Sequence, residues 1–131
     1  MKQGGTAMKM IRQRRGEGQG TIHPGDEILL QQMAGRGELK SPLRWLHHMY
    51  FANESAAREA ARRVNAAGWT IDWMSAQPAP FPGWVLRAGR DVVVTRDEVV
   101  KARGFFETLA RDTSGSYAGW DVRRVPKHAL A

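Results

Sequence analysis

The stretch Tyr117-Ala118-Gly119-Trp120-Asp121, inside GSYAGWDVRRV at residues 115–125, sets a bare glycine between two large aromatics in what reads as a strand. Glycine weakens a strand interior, so its presence there points to relief of crowding or to the close approach of a backbone or partner. On strict two-residue alternation Tyr117, Gly119 and Asp121 share one face, and Ala118, Trp120 and Val122 share the other. Trp120 is then expected in the core and Tyr117 on the opposite face. Gly119 would leave room for a large neighbour such as Trp45 or Tyr50.

Working outward, residues 43–51 (LRWLHHMYF) alternate as a strand, with Leu43, Trp45, His47, Met49 and Phe51 toward the core. Asn53 is a good N-cap for a helix over 54–67, which carries a stripe of small residues, Ala57, Ala60, Ala61 and Val64, and closes at Gly68. Residues 69–75 alternate as a second strand. The proline-rich QPAPFPG is a loop, and a third strand begins at Trp84 with an indistinct end. Thr95 to Glu98 form a capping box before a helix over 96–112, whose inner side is Val99, Ala102, Phe106, Leu109 and Ala110. Strand, helix, strand, strand, helix, strand is the split βαβ pattern. The expected fold is α+β, a ferredoxin-like βαββαβ sandwich. Right-handed crossovers put both helices on one face of a four-stranded antiparallel sheet, with the first and last strands as central neighbours.

A short N-terminal helix over 26–36 precedes this unit, with Asp26 as N-cap and Ile28, Leu29 and Met33, with Leu30 as a further candidate, on its apolar side. Either this helix or a partner is left to cover the second face of the sheet. Residues 1–25, rich in glycine and base, read as a flexible tail containing Arg12, Arg14 and Arg15. The domain is placed at 26–131.

Bulk composition narrows the function. The chain has 131 residues, enough for one domain with a core of its own. It has no cysteine, which removes disulfides and thiol chemistry. No apolar run approaches a membrane span, and the basic N-terminus lacks the apolar stretch of a secretory signal, so a cytoplasmic location is expected. Twenty basic side chains against thirteen acidic give +7, a balance that attracts nucleic acid or acidic proteins.

The residues point away from catalysis. His47 and His48 are adjacent on a strand, so they face opposite ways and cannot share a metal. His23 and His128 fall in tail segments. Asp72, Asp91 and Asp121 show no spacing that implies acid–base work. GEGQG at 16–20 follows no strand, so it makes no phosphate loop. Neither an enzyme nor a cofactor or metal is expected. The RNA-binding version of this fold carries aromatics on its central strands; here only Tyr50, and Trp84 on an undetermined face, stand in that position, and its glycine–aromatic signature is missing.

Several pieces together resemble the regulator of ribonuclease E activity B (RraB) family, particularly its short single-domain actinobacterial type. They are DEILLQQMAGRG, HHMYF with the helix that follows, WVLRA, RDEVVKARGFFETLA and YAGWD. Tyr117 to Asp121 is similar to the family's Tyr-Asp-Gly-Trp-Glu, with Ala118 in place of the acidic residue. The motif positions are His47, Tyr50, Phe51, Tyr117, Gly119 and Trp120. The resemblance implies a ferredoxin-like fold and a non-enzymatic protein that binds an endoribonuclease and modulates RNA processing. The best-described members are acidic whereas this chain is basic, so an interface built on negative charge would not carry over unchanged.

The expected contact surface is the open sheet face and its rim: Tyr50, Tyr117, Asp121, Arg123 and Arg124. Weak direct RNA binding through the basic surface is the alternative. A homodimer is left open, because open faces and strand edges both invite one.

Overall fold

The computed structural model describes residues 21–125. Its elements are α1 (Pro24–Gly35), a 3₁₀ turn (Glu38–Lys40), β1 (Leu43–Phe51), α2 (Glu54–Ala66), β2 (Thr70–Ala76), β3 (Trp84–Val92), α3 (Arg96–Asp112) and β4 (Ser116–Arg123). The tail arginines, GEGQG and His128 lie outside the described residues.

The strands form one antiparallel sheet in the order β2-β3-β1-β4, the ferredoxin-like arrangement. β4 does pair with β1, but it is an outer strand; β1 and β3 are the two central ones. The split βαβ order itself requires this, since the second β-α-β unit inserts β3 beside β1 on the side away from β4.

Local sequence explains the boundaries. Asn53 accepts from the Ala56 amide and Thr95 from the Glu98 amide, so both long helices start where their caps stand. Glu98 does not complete the capping box; it turns to Arg90 at 3.3 Å. Gly68, at φ 95°, ends α2 in the left-handed region that glycine enters without penalty. Ala57, Ala60 and Val64 of α2 and Val99, Ala102, Phe106, Leu109 and Ala110 of α3 are buried against the sheet.

The N-terminal helix departs from expectation in its cap and in the exposure of Ile28, and its position decides one of the two covers left open for the second face. Its cap is His23, whose ring accepts from the Gly25 amide, and not Asp26. It buries Leu30 and Met33 while Ile28 is exposed. It does not cover the open face. α1 joins the helical layer, where Asp26 is buried and accepts from Arg103 of α3 at 2.6 and 2.9 Å and from the Trp120 indole at 2.9 Å. The apolar positions of α1 therefore add to the same core as Trp45, Val99 and Trp120.

Gly119 is explained by backbone conformation, not by crowding. A Cβ built there would meet nothing within 4 Å, yet its φ is 103°. The pairing of β1 with β4 shifts between His48 and Met49: His48 faces Gly119, but Met49 faces Tyr117, leaving Ala118 as an extra residue. This β-bulge cancels the alternation, so Tyr117 and Trp120 both point into the helical layer. The expected placement of Tyr117 on the opposite face is thus corrected.

A contrast between two glycines isolates this effect. Gly104, within α3, also has open space where a methyl would stand but no positive φ. Gly119→Ala should cost about 1–2 kcal/mol, the penalty of forcing an L-residue into left-handed space. Gly104→Ala should instead add about 0.5–1 kcal/mol of helix propensity. Urea denaturation checks both; equal effects of the same sign would refute the backbone explanation.

Candidate protein-binding face

The motif residues divide into two groups, one buried and one exposed. In the buried group the His47 ring stacks on Phe106 at 4.4 Å, and Phe106 stacks in turn on Tyr117 at 5.6 Å. The Tyr117 hydroxyl and His47 Nδ1 share a 2.8 Å hydrogen bond, and the Arg103 guanidinium lies 5.1 Å over the Tyr117 ring. Burial pushes the Tyr117 phenol up from its ordinary value, opposed by nearby Arg103. Burial also pushes His47 down to about 2, helped by the positive charges of His48, Arg90 and Arg103. The Arg103 guanidinium is raised by its hydrogen bonds to Asp26. Tyr117, Trp120, His47 and Phe51 therefore act from the helical side of the sheet, Tyr117 being partly buried there, while Gly119 lies on the other face opposite His48.

The exposed group lies on the sheet face that all three helices leave bare. The ladders arrange it in four rows across the strands. The first is Asp91, Arg44 and Arg123; the second is Thr70, Gly89, Leu46 and Asp121. The third is Trp73, Arg87, His48 and Gly119, and the fourth is Ser75, Val85, Tyr50 and Ser116.

In the first two rows a charged lattice closes the surface. Arg44 reaches across β3 and bonds Asp72, Thr70 and Asp91, with Nε to Asp72 Oδ2 at 3.0 Å and Nη1 to Asp91 at 3.1 Å. Gly89 permits the crossing, because a Cβ there would come within 2.9 Å of both Asp72 and the Arg44 guanidinium. Hydrogen bonding to Arg44 holds Asp72 below the usual carboxylate range. Asp121 sits 3.5 Å from His48. Leu46, in the midst of this lattice, is only 2% exposed.

The other two rows are aromatic and open. Tyr50 is 41% and Trp73 is 54% exposed. The expected residues Tyr50, Asp121 and Arg123 share this face; Arg124 is exposed just beyond β4; Tyr117 belongs to the interior. Trp73 and Arg87 were not anticipated. Strict alternation sets Trp73 with Trp69 and Ile71 toward the core. A second register shift, at Asp72 between Ile71 and Trp73, turns Trp73 outward. The signal available in the sequence was Met74, an apolar residue directly after Trp73 that breaks the apolar–polar rhythm of β2.

Among the described residues no group of three or more His, Asp or Glu side chains could hold a metal, and no helix is long and apolar enough to cross a membrane. Residues 25–122 match the family described as Regulator of ribonuclease activity B. The chain belongs to the RraB family. The match runs from α1 to β4, so it takes in the Asp26–Arg103–Trp120 clamp as well as the βαββαβ unit. RraB membership makes this chain one of a family of regulators of ribonuclease activity. Among curated proteins, none matches the chain.

Proposed function

We propose that this RraB-family chain modulates a ribonuclease or its RNA-processing assembly by protein contact and not by catalysis, with the open sheet face as the contact surface. The observation that carries this reading is the exposure of Tyr50 and Trp73, which line one cleft on a face that no helix covers. Tyr and Trp supply large, stiff contact area at low entropic cost and are enriched where interfaces concentrate their binding energy. Asp121, Arg123 and Arg124 form the polar rim. Tyr117 positions β4 from within.

Affinity capture from lysate at physiological salt tests the reading. The wild-type chain should enrich an identified ribonuclease or RNA-processing protein. Tyr50→Ala/Trp73→Ala should lose at least tenfold of that signal, as removal of about 1.4 kcal/mol of contact energy would do. Arg62→Ala, on the helical layer, should capture normally. Capture of no such protein, or capture indifferent to the aromatic pair, would overturn the proposal. Direct RNA binding is the second reading, favoured by the net charge of +7. It requires affinity that falls steeply with salt as counterions are released.

A further inference from the structure

We infer that the open face, resting on its role as the protein contact proposed above, takes an acidic side chain: an Asp or Glu of an extended partner segment, seated between Tyr50 and Trp73 against Arg87. The third and fourth rows enclose a cleft of about 70 Å³, lined by His48, Tyr50, Trp73, Val85 and Arg87. That is room for a few water-sized groups, enough for a carboxylate. Tyr50 also walls a second, larger cleft of about 410 Å³ at the end of the sheet, with Phe51, Gln77, Pro82 and Gly115. A single extended segment can lie across both.

Charge decides what the small cleft accepts. The carboxylates of this face stand in the first two rows or at the bulge beside them: Asp72 and Asp91 are paired with Arg44, and Asp121 stands 3.5 Å from the His48 ring. The third and fourth rows contain none. Arg87 makes no close ion pair with a described residue, though its charge reaches Asp72; its Nε is buried, so it is the outer end of the guanidinium that lines the cleft. A guanidinium in that state is matched by a carboxylate, whose two oxygens fit the planar fork. The flanking rings shield that pairing from water.

The same arrangement disfavours a polyanion. Along the strands three arginines (Arg44, Arg87, Arg123) face three aspartates (Asp72, Asp91, Asp121) and sum to zero, with Arg124 beyond β4 adding one positive charge at the rim. A nucleic-acid strand crossing the sheet would bring its phosphates onto the aspartate rows, without the net positive charge that drives counterion release. One carboxylate placed at Arg87 avoids them.

The test uses the whole chain, isotope-labelled, with three probes at physiological salt: a blocked peptide of alternating glutamate and leucine, its glutamine counterpart, and oligouridylate. The Trp73 indole and Arg87 Nε resonances are followed. The glutamate peptide should move both and bind about tenfold tighter than the glutamine peptide, the worth of one charge-assisted contact. Arg87→Gln should erase that difference, while Arg62→Gln on the helical layer leaves it intact. Equal binding of the two peptides, no movement of either resonance, or Arg87-dependent binding of oligouridylate alone would overturn the inference. Equal peptide binding would leave the face a protein contact for a neutral segment. The broader reading fails separately, when no ribonuclease or RNA-processing protein is captured or when its capture survives loss of Tyr50 and Trp73.

Discussion

Asp26→Ala is expected to destabilise the protein by about 3–5 kcal/mol, the range for removing one partner of a buried ion pair. Asp26 is 2% exposed, and Arg103 would keep its charge with little solvent to replace the lost carboxylate. The Trp120 indole would lose its acceptor in the same step. A loss of that size approaches the whole stability of a small domain, which is typically about 5–15 kcal/mol. Asp26→Ala/Arg103→Met should recover much of it, because an apolar pair leaves no orphaned charge behind. Guanidinium unfolding at neutral pH measures both variants. A single-mutant loss under about 1 kcal/mol would show that the pair behaves like a surface contact. Glu107, which also bonds Arg103 at 2.9 Å, would then be carrying the charge.

Acid should weaken the fold through His47. Its folded-state pKa is pushed down to about 2, whereas the unfolded chain titrates near an ordinary histidine value. Between those limits the unfolded state binds the extra proton, so stability falls as pH drops below about 6.5. The contribution is fully present above that value and is lost at about 1.4 kcal/mol per unit on the way down. By pH 4.5 the loss is about 2.7 kcal/mol from this residue alone. The ring has no easy escape, being stacked on Phe106 and bonded through Nδ1 to Tyr117. His47→Asn keeps a polar atom near Nδ1 and does not titrate. The stability difference between wild type and this variant should therefore shift by about that amount between neutral pH and 4.5. A difference that stays flat across that window would mean that His47 is protonated without cost.

What the sequence made legible is what depends on one element at a time. The caps Asn53 and Thr95 and the inner faces of the two long helices could be read directly, because helical period and capping are local. The core face of β1 was equally clear, with Trp45, His47 and Met49 buried as the alternation requires. The outer strands were not legible in this way. Each carries an extra residue, near Asp72 in β2 and at Ala118 in β4, and one extra residue reverses every side chain beyond it. That is why Tyr117 was expected outside and lies inside, and why Trp73 went unremarked and lies outside. The motif resemblance identified the family but could not say that Tyr117 and Trp120 serve the interior. Asp26 was read as a cap because aspartate before an apolar helix usually is one. Its true partner, Arg103, is 77 positions away, and no local rule reaches that far.

The two bulges also bear on how the chain behaves among copies of itself. A sheet grows by adding strands to a straight, unbroken border, and fibrils propagate along such borders. Here each border is kinked partway along, so an incoming strand that matched the first half of the ladder would be out of step in the second. The irregularities that hide Tyr117 and expose Trp73 thus act as gatekeepers against runaway polymerisation, leaving stickiness to the broad face and not to its margins.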